Sequence, residues 1–208
     1  MRKILFLFLA LLMLCPDNVR AQRVNEAAVK RQIAQAAAKV RTLQCDFVQT
    51  KYVKMLNDKM VASGKMYYQK SDCLRWQYTA PYSYTFIING QRVNIRRGQR
   101  SDVINVNQSK MFKEIARIMM NSVVGKNLND SKDFRTTITA DGANYLATLY
   151  PLRKQMKGMF SSIVLHINGR QSMVTQVDLH EKNGDRTVIQ LRNTTVNRPV
   201  NAQIFNIR

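Results

Sequence analysis

The chain has 208 residues and a formal charge of +20, from 33 lysines and arginines against 13 aspartates and glutamates. That length suits one domain of ordinary size, large enough to bury a core without a disulfide staple. The cations are scattered rather than gathered in one Arg-rich helix, which argues against nucleic acid and leaves anionic lipid headgroups, an acidic partner or a plainly solvated surface.

Residues 1–21 read as a secretory signal peptide. Arg2 and Lys3 precede the apolar run from Ile4 to Leu14, and Val19-Arg20-Ala21 offers small or short residues for cleavage. The alternative is lipidation at Cys15, against which stands the bulky Leu14 where such signals want Gly, Ala or Ser. Cleavage removes Arg2, Lys3, Arg20 and Asp17, leaving 30 cations against 12 carboxylates, or +18, on residues 22–208, which form the expected single domain. No later stretch is long and apolar enough to cross a bilayer, so the mature protein is expected to be soluble and exported.

Val29, Ile33, Ala37 and Val40 recur at helical spacing, which predicts one amphipathic helix from Asn25 to about Arg41. Asn25 is placed to cap it and Glu26 suits its first turn. Its small, β-branched stripe is expected to pack on a sheet. Alternation then predicts strands over Leu43 to Val53 and Met60 to Gln69, joined by a turn-rich linker from Leu56 to Lys59. Phe47 shares a face with Cys45 and Gln49, while Met66 and Tyr68 share one with Gly64 and, beyond them, Lys70. Gly64 inside a strand marks a bulge or sharp bend, as a curved sheet needs.

Leu74-Arg75-Trp76-Gln77-Tyr78-Thr79-Ala80-Pro81 alternates until proline ends it, so Leu74, Trp76 and Tyr78 form one greasy face of a third strand and Arg75, Gln77 and Thr79 a wet one. Tyr82, Tyr84, Phe86 and Ile88 line one face of a fourth, up to the hairpin signal Asn89-Gly90. Val93 and Ile95 begin the return, and a polar bend from Arg96 to Arg100 leads to Val103 through Val106. There the period changes: Met111, Phe112, Ile115, Ile118, Met119 and Val123 put one broad apolar stripe on a helix from about Ser109 to Val124, with Gly125 as its stop. Its methionines adapt to irregular partners.

Strands resume from Phe134 to Thr139 and from Asn144 to Tyr150, followed by a basic loop from Pro151 to Gly158. Ser161 to Ile167 places Ile163, Leu165 and Ile167 on one face; Asn168-Gly169 turns it into Met173 to His180, and Asn183-Gly184 turns that into Arg186 to Asn193. About eleven strands, two substantial helices and no βαβ crossover predict a mainly β protein with helices (α+β), built on one strongly curved antiparallel sheet. In such a meander Cys45 and Cys73 fall on non-neighbouring strands, beyond disulfide reach, and are expected as free thiols.

Catalysis finds little footing. His166 and His180 are the only histidines, and there is no HExxH, no CxxC and no Gly-rich loop before a helix, so no catalytic residue, metal or cofactor is expected. Asp46 and Asp72 read as ordinary polar-face and turn residues.

The order Phe47-Val48-Gln49, Gly64, Leu74 to Pro81, Phe86-Ile87-Ile88-Asn89-Gly90 and a late Phe205 resembles the periplasmic outer-membrane lipoprotein carriers, the LolA family, over nearly all of the chain after about residue 24. The resemblance implies an unclosed half-barrel with a helical lid that holds acyl chains in its concavity. It implies no enzyme but a monomeric periplasmic carrier that takes lipid-modified proteins from an inner-membrane lipoprotein-releasing ABC transporter to an outer-membrane acceptor, with no nucleic acid involved. The alternative is a sensor, or a carrier of another lipid, on the same fold. The implied lining is Phe47, Met66, Tyr68, Leu74, Trp76, Tyr78, Phe86, Ile88, Ile163 and Leu165, with Met111, Phe112, Ile115 and Met119 on the lid. The family's arginine in the turn before the tryptophan strand falls at Lys70, expected as the lid latch, where an ammonium replaces a planar fork. Arg75 is nearby but faces the other way.

Overall fold

The alternation seen in the sequence becomes strand along most of the chain, and what the strands share is a single apolar face. The computed structural model describes residues 24–70, 72–105, 121, 128 and 132–207. The leader expected at 1–21 lies outside these residues.

Helix α1 (Glu26–Lys39) starts as expected: the Asn25 side chain accepts from the Ala28 backbone N–H at 3.1 Å. It buries Val29, Ile33 and Ala37. Eleven strands follow: β1 (Thr42–Val53), β2 (Asp58–Gln69), β3 (Cys73–Ala80), β4 (Tyr84–Asn89), β5 (Arg92–Arg97), β6 (Arg100–Asn105), β7 (Phe134–Asp141), β8 (Asn144–Pro151), β9 (Phe160–Asn168), β10 (Met173–Glu181) and β11 (Arg186–Val196). All pair antiparallel in one sheet ordered β6-β5-β4-β3-β2-β1-β11-β10-β9-β8-β7. The chain's two halves are meanders, and β11 returns to pair with β1 at the centre. The sheet is curved and unclosed, with β6 and β7 as its edges.

Curvature has a local cause at Gly64. The β2–β3 register shifts between Ser63 and Gly64, and a Cβ built on Gly64 would lie 1.9 Å from the Gln77 carbonyl oxygen and 2.8 Å from Phe47 Cζ. Only glycine lets β2 and β3 approach that closely.

The concave face holds one apolar cluster: Leu43, Cys45 and Phe47 of β1 continue through Met66, Leu74, Trp76 and Ile88 on one wing and Leu191, Val177, Leu165 and Leu149 on the other, with Val29 and Ile33 of α1 packed into it. Outside the concavity, the C-terminal 3-10 turn Ala202–Phe205 lies across β3 and β4 and buries Phe205. Arg75, on the wet face as expected, donates to the Ile204 carbonyl at 3.1 Å, and Asn89 Nδ2 donates to that of Phe205 at 3.2 Å.

Four expectations change. The basic loop at Pro151 to Gly158 gives way to a helix, α2 (Lys154–Met159), which buries Met156; two methionines in six residues are too little periodicity to read. The linker after β1 shortens to the 3-10 turn Lys54–Leu56, closed by Asn57 at φ 48°, so Asp58 and Lys59 belong to β2. Tyr82 stands in the β3–β4 turn rather than in β4. The β4–β5 loop is Gly90-Gln91, since Asn89 pairs with Arg92. The helix predicted from about Ser109 to Val124, with Met111, Phe112, Ile115 and Met119, lies outside the described residues, except that Asn121 is helical.

Candidate functional site

Strand β3 supplies the centre of the concave wall, because its three apolar side chains all point inward. Leu74 pairs with Tyr68 and Ile88, Trp76 with Met66 and Phe86, and Tyr78 with Gly64 and Tyr84. The space above Gly64 is taken by aromatic rings: Phe47 and Trp76 lie 4.4 Å apart, and the Tyr78 ring meets Phe47 edge-on at 5.1 Å.

Polarity rises along the concavity towards one rim. Leu43, Cys45 and Phe47 lead along β1 to Gln49 and Lys51; Ile88 and Phe86 lead along β4 to Tyr84; Val93 and Ile95 lead along β5 to Arg97. At that end an open pocket of about 570 Å³ is lined by Tyr78, Tyr82, Ser83, Tyr84 and Arg97. The Arg97 guanidinium sits 5.3 Å from the Tyr84 ring centre. The Tyr78 hydroxyl donates to Gln49 Oε1 at 2.9 Å, and burial, then the neighbouring Tyr82, pushes its pKa up to about 12. It is a neutral donor throughout the physiological range.

Trp76 adds a polar point inside. Its side chain is 3% exposed, and among the described residues its Nε1–H meets no acceptor in hydrogen-bond geometry. It lies close to the Tyr78 hydroxyl, and as a hydrogen-bond donor it would favour the phenolate, against the burial that raises that pKa. A buried orphan N–H costs on the order of 1–3 kcal/mol, so the site can gain from any acceptor brought to it.

Of the side chains expected to line the concavity, Phe47, Met66, Tyr68, Leu74, Trp76, Phe86, Ile88, Ile163 and Leu165 are buried on this one face, and Tyr78 is half-buried at its mouth. The structure brings them together as a packed interior rather than an open groove. Lys70 is exposed in the turn after β2, at the end of the sheet away from the tyrosine mouth, where its backbone N–H donates to the Arg41 carbonyl at 2.7 Å. It is not part of the strand, and the helix it was expected to latch lies outside the described residues. Sequence reasoning missed Arg97 and Gln49 as partners of the tyrosines; both follow only from strand register.

The other candidates are structural. Cys45 and Cys73 are thiols not joined to each other, with β2 between their strands, and Cys73 Sγ donates to Asn89 Oδ1 at 3.7 Å; burial and then Asp46 push the Cys45 thiol up to about 12, and burial and then Asp72 raise that of Cys73. His166 faces outward beside Gln176 at 3.2 Å and 3.6 Å from Asp178, which also binds Arg186. Asp46 is tied to Lys65 and Asn193 rather than to Asp72. Among the described residues no group of histidine, cysteine or carboxylate side chains is placed to hold a metal ion, and no helix is long and apolar enough to cross a membrane.

Comparison with solved structures finds the same fold at low identity. An uncharacterized conserved protein from Thermus thermophilus is 10% identical, over 85% of this chain and 92% of that one, with a TM-score of 0.52. The lipoprotein LppX of Mycobacterium tuberculosis is 12% identical, over 85% and 97%, with a TM-score of 0.51. At such identities the likeness is one of fold alone. No curated protein matches the chain. The model of one family, described as outer membrane lipoprotein carrier protein LolA, matches residues 38–208, from the end of α1 through all eleven strands, and the chain belongs to that family.

Proposed function

We propose that this protein is a periplasmic carrier that holds the acyl chains of lipid-modified proteins against its concave face while they move from the inner to the outer membrane. The observation that carries the reading is the continuity of the apolar face: buried aliphatic and aromatic side chains run unbroken from β4 through β1 to β8. Each buried methylene is worth about 0.8 kcal/mol, so acyl chains do not cross an aqueous compartment unaided, and a face of this composition is what they require.

Because the lining is already packed, loading exchanges protein contacts for acyl contacts. The closed form must then be favoured by only a few kcal/mol, or no cargo would enter. The helix expected from the sequence at about Ser109 to Val124, and α1, are the elements proposed to give way, with Lys70 as a proposed latch on the first of them. The tyrosine mouth is the proposed entry, and the Trp76 N–H and Tyr78 hydroxyl are the donors proposed to meet the ester carbonyls at the head of the chains. Cargo would come from a lipoprotein-releasing ABC transporter and pass to an outer-membrane acceptor.

The test is mass spectrometry of what co-purifies with the protein from its native compartment. Acylated proteins bound at near one per carrier support the reading. Recovery of free lipids alone would refute it in favour of a lipid carrier or sensor.

A further inference from the structure

The large hydrophobic side chains that the fold leaves exposed are not spread over the molecule. Among the described residues there are nine, and seven of them, Tyr52, Met55, Leu56, Met60, Val61, Tyr82 and Leu152, lie at the rim that carries the tyrosine mouth. Only Val103 and Val196 lie elsewhere.

The strands explain why. β1 and β2 are each twelve residues long and stay paired to Val53 and Asp58, whereas β3 stops at Ala80, opposite Ser63. On the β3 side the β1–β2 hairpin therefore runs five residues, about 16 Å, past its neighbour, while on the other side β11 stays paired with β1 to Tyr52. Met60 and Val61 are uncovered because β3 has turned away. Met55, 89% exposed, and Leu56, 65% exposed, occupy the tip, where a solvated turn calls for polar residues.

The tip is held in place. Asp185, in the β10–β11 turn, accepts from the Lys54 backbone N–H at 3.0 Å and pairs with Lys51 at 3.5 Å. The apolar tip is thus anchored on the central strands of the sheet.

Charge identifies what it meets. Lys54 and Lys59 flank the tip, and Arg97, Arg100, Lys154, Lys157 and Lys182 stand exposed around the same rim. Among the described residues the exposed carboxylates near the rim are Asp58 and, two residues in from Arg100, Asp102, since Glu181 is paired with Lys51 and Asp185 is buried; the cations outnumber these two. Apolar side chains collared by lysine and arginine, with tyrosines at the margin, match the interface of an anionic bilayer: methylenes for the acyl boundary, cations for the headgroups.

We infer that this rim is a membrane-docking surface, with the Met55–Leu56 tip entering the headgroup region of an anionic bilayer and the tyrosine mouth brought down against it. The inference goes beyond carriage of lipoproteins, because docking needs no cargo.

The test is flotation of the purified, cargo-free protein with vesicles of phosphatidylglycerol and phosphatidylcholine, beside vesicles of phosphatidylcholine alone, from low to physiological salt. Wild type should bind the anionic vesicles at least tenfold more tightly than the neutral ones. The double variant Met55→Ser/Leu56→Ser, changed only at exposed positions, should bind them at least tenfold more weakly at physiological salt, and Val103→Ser, an exposed apolar residue off the rim, should match wild type. Loss of binding in Val103→Ser equal to that in the double variant would overturn the inference, as would unchanged binding in the double variant. Absence of vesicle binding at any salt, with tip-dependent self-association instead, would overturn it in favour of a second copy of this chain. Failure to recover acylated cargo would bear on the proposed function and leave this result standing.

Discussion

Replacing Trp76 by Phe separates a lining that merely packs from one that receives cargo. In the empty protein the substitution acts in two opposed ways. Phenylalanine is smaller by about 40 Å³, and at about 24 cal/mol per Å³ of residual cavity the loss is on the order of 1 kcal/mol. The same change removes an N–H that is buried without an acceptor, which returns about 1–3 kcal/mol of desolvation cost. A six-membered ring is retained to meet Phe47. The net change in stability should therefore lie between zero and about 2 kcal/mol of stabilisation, far from the 3–5 kcal/mol that truncating a buried aromatic to Ala costs. The loaded protein differs, because an ester carbonyl at this N–H gives it the partner it lacks. Losing that hydrogen bond costs about 1 kcal/mol, or about fivefold in Kd.

The assay pairs urea unfolding of the delipidated protein with binding of a diacylated lipopeptide to wild type and Trp76→Phe. Weaker binding at unchanged or raised stability is the expected result. Loss of more than about 3 kcal/mol of stability would mean that the indole is satisfied or irreplaceable in the empty fold; unchanged affinity would remove Trp76 from the proposed site.

Gly64→Ala forces a Cβ to within 1.9 Å of the Gln77 carbonyl oxygen and should cost at least the 1–3 kcal/mol typical of overpacking, read as a lower urea midpoint at unchanged slope. Both thiols should react with a maleimide in the unfolded, unreduced protein, while in the native protein Cys45, buried and pushed up to about 12, should react far more slowly than an exposed thiol; a pair blocked to reagent in the unfolded chain would contradict the strand order. Asp46 is held below the usual carboxylate value first by the Asn193 amide and then by the Lys65 ammonium, so its contribution is present above an unfolded pKa near 3.8 and is lost as pH falls through the lower folded value. Asp46→Asn should accordingly flatten the acid limb of the stability profile below about pH 4 and leave the slope near neutrality unchanged, and a slope at pH 6–8 altered by the substitution would assign the effect elsewhere.

Most strands were legible because they bury one side only: period two with β-branched and aromatic residues facing in fixes both the element and its orientation, as at Leu74, Trp76 and Tyr78, whereas β4 also buries Thr85 and Ile87 on its outer face. Gly64 was legible for a related reason, since a glycine amid such a run has no packing purpose of its own. Register was less so. Had the β4–β5 loop been Asn89-Gly90, Tyr84 would oppose Ile95; with Gly90-Gln91 in the loop, Tyr84 opposes Arg97, and an apolar pair becomes a cation over a ring at the mouth. A one-residue shift in a turn keeps every side chain on its face and changes every partner. The β1–β11 pairing joins Leu43 to Val196 and was beyond any local pattern. The hairpin tip was visible as Met55 and Leu56 beside turn residues, but only the early stop of β3 shows that nothing covers it.

If the interior opens to take acyl chains, as proposed, part of the sheet has to stay fixed, and its outer face is built for that. Across the centre, Asp46 of β1 accepts from Lys65 of β2 at 2.8 Å and from Asn193 of β11 at 2.8 Å, so one carboxylate spans the seam where the two halves meet. On one wing Asp178 gathers Gln176 and Arg186; on the other, the C-terminal turn is held to β3, β4 and β5 through Arg75, Asn89 and Arg96. These contacts are local to the outer surface and do not depend on what fills the concavity. In the proposed loading, exchange of acyl chains for Val29 and Ile33 of α1 would proceed against a wall whose strand register stays fixed; specificity would rest with that wall, and affinity with how little stabilises its filling.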